Sequence, residues 1–120
     1  MHNFVHIQFQ VTDLDEATKF YSNVFEWKIS KSPAMENYAF YEIDEEGEQV
    51  GGGFFVNGGK PSTGTCVLYI NANDIPSKLK LIEEYGGKIL MEKTPLPGGH
   101  GFVARFEDPF GNALGLWSEE

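Results

Sequence analysis

Residues Phe4–Val11 read "FVHIQFQV". Val5, Ile7, Phe9 and Val11 alternate with Phe4, His6, Gln8 and Gln10, and period-two alternation over eight residues is the mark of a strand. One face is wholly apolar. The other is mostly polar, with a histidine at its centre. What that second face looks at, bulk water or a binding site, decides what the chain does.

Reading outward, "TDLDEATKFYSNVFEW" follows. Asp13 and Glu16 have capping-box spacing, with Asp in place of Ser or Thr. Ala17, Phe20, Tyr21, Val24 and Phe25 recur at helical spacing, which predicts an amphipathic helix ending near Phe25. Short strands are expected over Trp27–Ser30, "YAFYEI" (Tyr38–Ile43) and the Gly-rich "VGGGFFV" (Val50–Val56), with "EEGE" as a turn. The Gly/Pro/Ser/Thr-rich "NGGKPSTG" reads as a connector near the midpoint.

The second half repeats the order. "TCVLYINA" (Thr65–Ala72) reads as a strand. Asp74 caps a helix with Pro76 in its first turn and Ile75, Leu79 and Ile82 on its apolar side. Gly86 and Gly87 end it as a left-handed C-cap. "KILMEK" is a strand, "TPLPGGHG" a loop, and "FVARFE" and "ALGLW" are strands joined by "DPFGN". Laying Asp13-Leu14 over Asp74-Ile75, an offset of 61, brings "VHIQFQVTDL" onto "CVLYINANDI". Each half reads strand, helix, strand, strand, strand. The fold class is therefore α+β: one 120-residue domain of two βαβββ modules, about residues 1–58 and 64–120. Such a unit cannot cover its apolar sheet face alone, so the two are expected to pack together.

Composition excludes several classes. The formal charge of −9 argues against nucleic-acid and anionic-membrane partners, which require a basic patch. No apolar run is long enough to span a bilayer and no signal segment leads the chain, so a cytoplasmic location is expected. One cysteine, Cys66, allows neither an intrachain disulfide nor a Cys-rich zinc site, and its apolar run suggests an inert buried thiol.

The landmarks "HIQFQVTDLDEATKFYSNVFEW", "YINANDI…EEYGGKI" and "FEDPFGNALGLW", in this order, resemble the vicinal-oxygen-chelate superfamily of glyoxalase I, bleomycin-resistance proteins and extradiol dioxygenases. The resemblance covers nearly the whole chain. It implies paired βαβββ modules whose mixed sheets curl into a cup. In the metal-dependent members a divalent metal in the cup chelates two vicinal substrate oxygens. His6 stands where the glyoxalase-like enzymes place a first-strand histidine. The second-half histidine aligns with Val67, the fourth-strand carboxylate falls within "VGGGFFV", which contains none, and the last-strand carboxylate aligns with Gly115. One of four ligands remains, so no cofactor is expected. A divalent metal would require recruits from outside the family pattern, such as His100 or Glu107.

The resemblance turns Phe4, His6, Gln8 and Gln10 toward the cup, with Val67, Tyr69 and Asn71 joining them by the offset and Gly115 and Trp117 by strand parity. A mostly apolar lining with a few polar groups suits a small aromatic or apolar ligand. Gly51–Gly53 could let a ligand or a partner backbone approach closely, or mark a bulge. The "TPLPGGHG" loop could act as a lid, or as a plain connector. Tyr69 and Trp117 could equally pack the sheet or a dimer contact. Two readings follow: a metal-free small-molecule binder, homodimeric by resemblance, or a glyoxalase-related lyase or dioxygenase-type enzyme. The enzyme would use His6 with unusual metal ligands, or His6 as a general base.

Overall fold

Alternation along the strands decides which side of each sheet a helix covers. The computed structural model describes residues 6–45, 48–56, 58, 59 and 67–120 of the chain, which divides into two units, Met1–Pro61 and Ser62–Glu120. Phe4, Val5 and Cys66, most of the "NGGKPSTG" connector and the centre of the "EEGE" turn lie outside the described residues.

The first unit contains β1 (Ile7–Gln10), α1 (Leu14–Phe25), β2 (Lys28–Lys31), β3 (Tyr38–Glu45) and β4 (Glu48–Phe55). Their spatial order is β1-β4-β3-β2, with β1 parallel to β4 and the other pairs antiparallel. Helix α1 starts where the sequence predicts. Asp13 is extended and its carboxylate accepts the Glu16 backbone N–H at 3.0 Å, satisfying a donor that has no intrahelical partner. The helix ends at Glu26, in the left-handed region with φ 61°. Its buried residues Ala17, Phe20, Tyr21 and Val24 cover Phe9, Ala39, Tyr41 and Phe54 of the sheet. Tyr21 is the hub, stacked on Trp27 and Phe54 at centroid distances of 4.9 and 5.0 Å. Each such pair adds about 0.5–1.5 kcal/mol to the burial of its rings. Trp27, expected to open a strand, instead precedes β2 and stacks on Tyr41 at 4.6 Å.

The second unit contains β5 (Tyr69–Asn71), α2 (Ile75–Glu84), β6 (Lys88–Pro95), a 3-10 turn (Pro97–Gly99), β7 (Phe102–Glu107) and β8 (Ala113–Ser118). Its strand order β5-β8-β7-β6 reproduces that of the first unit. Asp74 caps α2 by accepting from the Ser77 N–H at 3.1 Å and the Ser77 hydroxyl at 2.9 Å, and Gly86 ends it with φ 96°. Ile75, Leu79 and Ile82 are buried, as are Ala104, Phe106, Leu114 and Leu116 on the sheet. Strand β6 runs two residues beyond the expected Lys93, because Thr94 and Pro95 keep pairing with Val103 and Phe102. Proline is tolerated there because β6 is an edge strand.

The "DPFGN" turn is organised by a residue to which the sequence reading gave no role. Asp108 is 3 % exposed. Its carboxylate accepts from the backbone N–H groups of Phe110 and Asn112 at 2.9 and 2.8 Å and from the Asn112 side-chain amide at 2.8 Å. The fold is thus α+β, two βαβββ modules, each with one helix on one face of a mixed four-stranded sheet.

Candidate functional site

Because each helix covers one sheet face, the alternate side chains emerge on the other. In the first unit that open face carries Gln8 and Gln10 from β1, Gly53 and Phe55 from β4, and Tyr38 and Phe40 from β3. The row Gln8–Gly53–Phe40–Ser30 runs straight across the four strands. In the second unit the matching row is Tyr69–Gly115–Arg105–Met91. Gly53 and Gly115 therefore hold equivalent places in the two modules.

Both glycines lie under tyrosine rings. A Cβ on Gly53 would fall within the Tyr38 phenol, and one on Gly115 within the Tyr69 ring. A Cβ on Gly52 would meet the Ile7 carbonyl. The space that the sequence offered to a ligand at Gly52, Gly53 and Gly115 is thus taken by the chain's own groups.

His6, just ahead of β1, is exposed, and its Nε2 lies 2.7 Å from the Tyr38 hydroxyl oxygen, with the two rings stacked at 6.4 Å. The Tyr38 hydroxyl donates to the Gln8 side-chain oxygen at 2.9 Å. With that proton committed to Gln8, His6 donates from Nε2 to the phenol oxygen, and its free lone pair lies on Nδ1. Burial pushes the Tyr38 phenol above its ordinary pKa. Gln10 is turned elsewhere and donates to the Gly59 carbonyl at 2.8 Å.

In the second unit Tyr69 is 50 % exposed, and Asn71 and Trp117 sit opposite each other on the same open face. Val67 precedes β5 and is half-buried. The Trp117 indole donates to the His100 carbonyl at 2.9 Å, and the Leu96 N–H to the Gly101 carbonyl at 2.8 Å. The first bond ties the "TPLPGGHG" loop to β8, and the second closes the loop on itself. His100 is exposed and Glu107 half-buried. Among the described residues, no three His, Cys, Asp or Glu side chains converge as a metal-binding group.

The sequence reading missed Tyr38 and Arg105. Parity alone places Tyr38 on the face of Gly53, and Arg105, between buried Ala104 and Phe106, on the face of Gly115.

A family model describing the Glyoxalase/Bleomycin resistance protein/Dioxygenase superfamily matches residues 3–116. The chain belongs to this superfamily. Lactoylglutathione lyase of Haemophilus influenzae is 26% identical over 115 residues, spanning 89% of this chain and 85% of that protein. Lactoylglutathione lyase GLX1 of Arabidopsis thaliana is 28% identical over 121 residues. There the match spans 94% of this chain but only 43% of the plant protein. The crystal structure of the fosfomycin resistance protein FosX from Listeria monocytogenes superposes with a TM-score of 0.79 at 18% identity, covering 98% of this chain and 91% of that one. That likeness is one of fold. Among the described residues no helix is long and apolar enough to cross a membrane.

Proposed function

We propose that this glyoxalase-superfamily chain is a metal-independent module that holds a small aromatic or apolar molecule on the open faces of its sheets. The observation that carries the reading is the pair of glycines, Gly53 and Gly115, each beneath a tyrosine ring. Gly115 is where the superfamily resemblance implies a carboxylate, and Gly53 is its structural equivalent in the other module. Neither can donate a lone pair, nor can Val67. A divalent zinc-like centre needs three or more protein donors. At the positions that the resemblance implies, the donor set reduces to His6, which bonds Tyr38 through its Nε2. These residues do not fit a metal.

What each face offers instead is aromatic surface with a few polar atoms: Tyr38 and Phe40 with Gln8 and the Nδ1 of His6 in the first unit, and, separately, Tyr69 and Trp117 with Asn71 in the second. Such a mixture suits an apolar ring held by a few directed hydrogen bonds. The test is a melting-temperature screen against small aromatic compounds, following Trp117 fluorescence. A hit should raise the melting temperature in proportion to the logarithm of concentration, and Tyr69→Ala or Trp117→Ala should weaken it by about tenfold. Hits that bind both variants as tightly as the parent chain would exclude these faces as the site.

The His6–Tyr38 pair supports a second reading. The imidazole Nδ1 is positioned to take a proton from a bound substrate while Nε2 stays anchored to the phenol. Turnover without added metal, abolished by His6→Ala, would favour catalysis over binding alone. The module is further expected to act as a homodimer. Sedimentation at micromolar concentration should give twice the 13.4 kDa chain mass, and a monomer there would remove that part of the proposal.

A further inference from the structure

The first unit brings three rings together on its open face. His6 and Tyr38 lie at a centroid distance of 6.4 Å with 14° between their planes, and Phe40 meets the Tyr38 ring edge-on at 5.0 Å. Tyr38 and Phe40 alternate along β3 with Ala39 and Tyr41, which are buried on the helix side. Phe40 is 39 % exposed and His6 is exposed, so a small molecule can reach both.

One hydroxyl sets the polarity of this cluster. The Tyr38 phenol gives its proton to the Gln8 side-chain oxygen at 2.9 Å, so it offers the His6 Nε2, 2.7 Å away, only a lone pair. Nε2 then carries the ring proton and Nδ1 is bare. In an imidazole the Nδ1 lone pair points away from the group that Nε2 meets. Among the described residues, no group donates to it. Burial pushes the Tyr38 phenol above its ordinary pKa, so the hydroxyl stays protonated at neutral pH and the arrangement holds.

A metal centre draws in lone pairs, whereas a bare nitrogen draws in a proton donor. An aromatic body settling against the ring cluster strips water from Nδ1. A body with its own N–H or O–H replaces the lost hydrogen bond, and one without a donor leaves the nitrogen desolvated and unpaired. We infer that the first unit selects aromatic molecules that carry a hydrogen-bond donor, an N–H or O–H, and that Nδ1 of His6 is the acceptor that reads it. The inference rests on the binding reading above, at the first of its two faces, and specifies the ligand class there.

Nitrogen NMR of the intact labelled chain tests it, with His6→Ala identifying the His6 signals among the three histidines. Indole is expected to bind at least about fivefold more tightly than 1-methylindole, the same ring without the donor, and to shift the Nδ1 resonance of His6. Phenol should be preferred over anisole in the same way. A response from one pair alone supports the inference and narrows the donor to N–H or O–H. The methylated compounds are the more apolar, so ring burial by itself favours them. His6→Ala, at an exposed position, should bring each pair within about twofold. If both members of each pair shift the Phe40 ring signals with equal affinity, or if the preference survives in His6→Ala, the donor inference fails and the binding reading stands. Probes that move only the Trp117 indole place the ligand on the second unit and overturn the inference alone. If no probe moves any of these signals, the inference and the binding reading both fail.

Discussion

The phenol of Tyr38 lies over Gly53, and its hydroxyl sits between His6 and Gln8. Adding a methyl at Gly53 pushes against a half-buried side chain that can swing away. Adding one at Gly52 pushes against the Ile7 carbonyl, which belongs to the β1–β4 ladder. Gly53→Ala should therefore cost about 1 kcal/mol, and Gly52→Ala about 3 kcal/mol or more. Urea denaturation of the two variants checks the order; equal losses would contradict the assigned contacts.

The same geometry fixes the histidine tautomer. The neutral His6 ring should carry its proton on Nε2, with Nδ1 bare. Long-range nitrogen–proton NMR correlations read this directly. Tyr38→Phe removes the acceptor and should let the two tautomers mix. A proton on Nδ1 in the parent chain would reverse the direction of the His6–Tyr38 bond.

Tyr41 makes the pH dependence at the alkaline end. Burial pushes its phenol well above the ordinary tyrosine value of 10.0, and its hydroxyl donates to the Ile7 carbonyl at 2.8 Å. A pKa raised in the folded state means that the folded chain holds the proton more tightly than the unfolded chain. The associated stability is complete below the unfolded value and is lost as pH rises above it. Stability should fall above about pH 10, and Tyr41→Phe should flatten that fall. Denaturation midpoints from pH 8 to 11 in both proteins test it; parallel curves would show that Tyr41 is not the group responsible.

Asp108 holds the β7–β8 turn through three accepted hydrogen bonds while almost wholly buried. Asp108→Ala leaves two backbone donors and an amide without their acceptor, and should cost about 2–4 kcal/mol. Asp108→Asn keeps part of the acceptor capacity and should cost less. Thermal unfolding of the two variants separates them.

Much of the fold was legible because local chemistry and topology agree. Asp13 and Asp74 announce both helices, and alternation in "FVHIQFQV" assigns Phe9 and Val11 to the buried side and Gln8 to the other. The site was legible only as a face. That Tyr38 would reach His6, 32 positions away, depends on the β3–β4 register and on the absence of a side chain at Gly53, and neither is a local signal. Glycines in "VGGGFFV" announce close approach without naming what approaches. Asp108 looked like ordinary turn composition because its burial and its accepted hydrogen bonds arise only once β7 and β8 pair. Arg105 was readable by parity, from its place between buried Ala104 and Phe106.

Metal content tests the central claim most directly. Untagged chain exposed to zinc, nickel, iron and manganese, then dialysed, should retain well under one equivalent of each by elemental mass spectrometry. The trace retained should be the same in His6→Ala. One equivalent of any of these metals, held by the parent chain and lost on His6→Ala, would contradict the proposed metal-independent module.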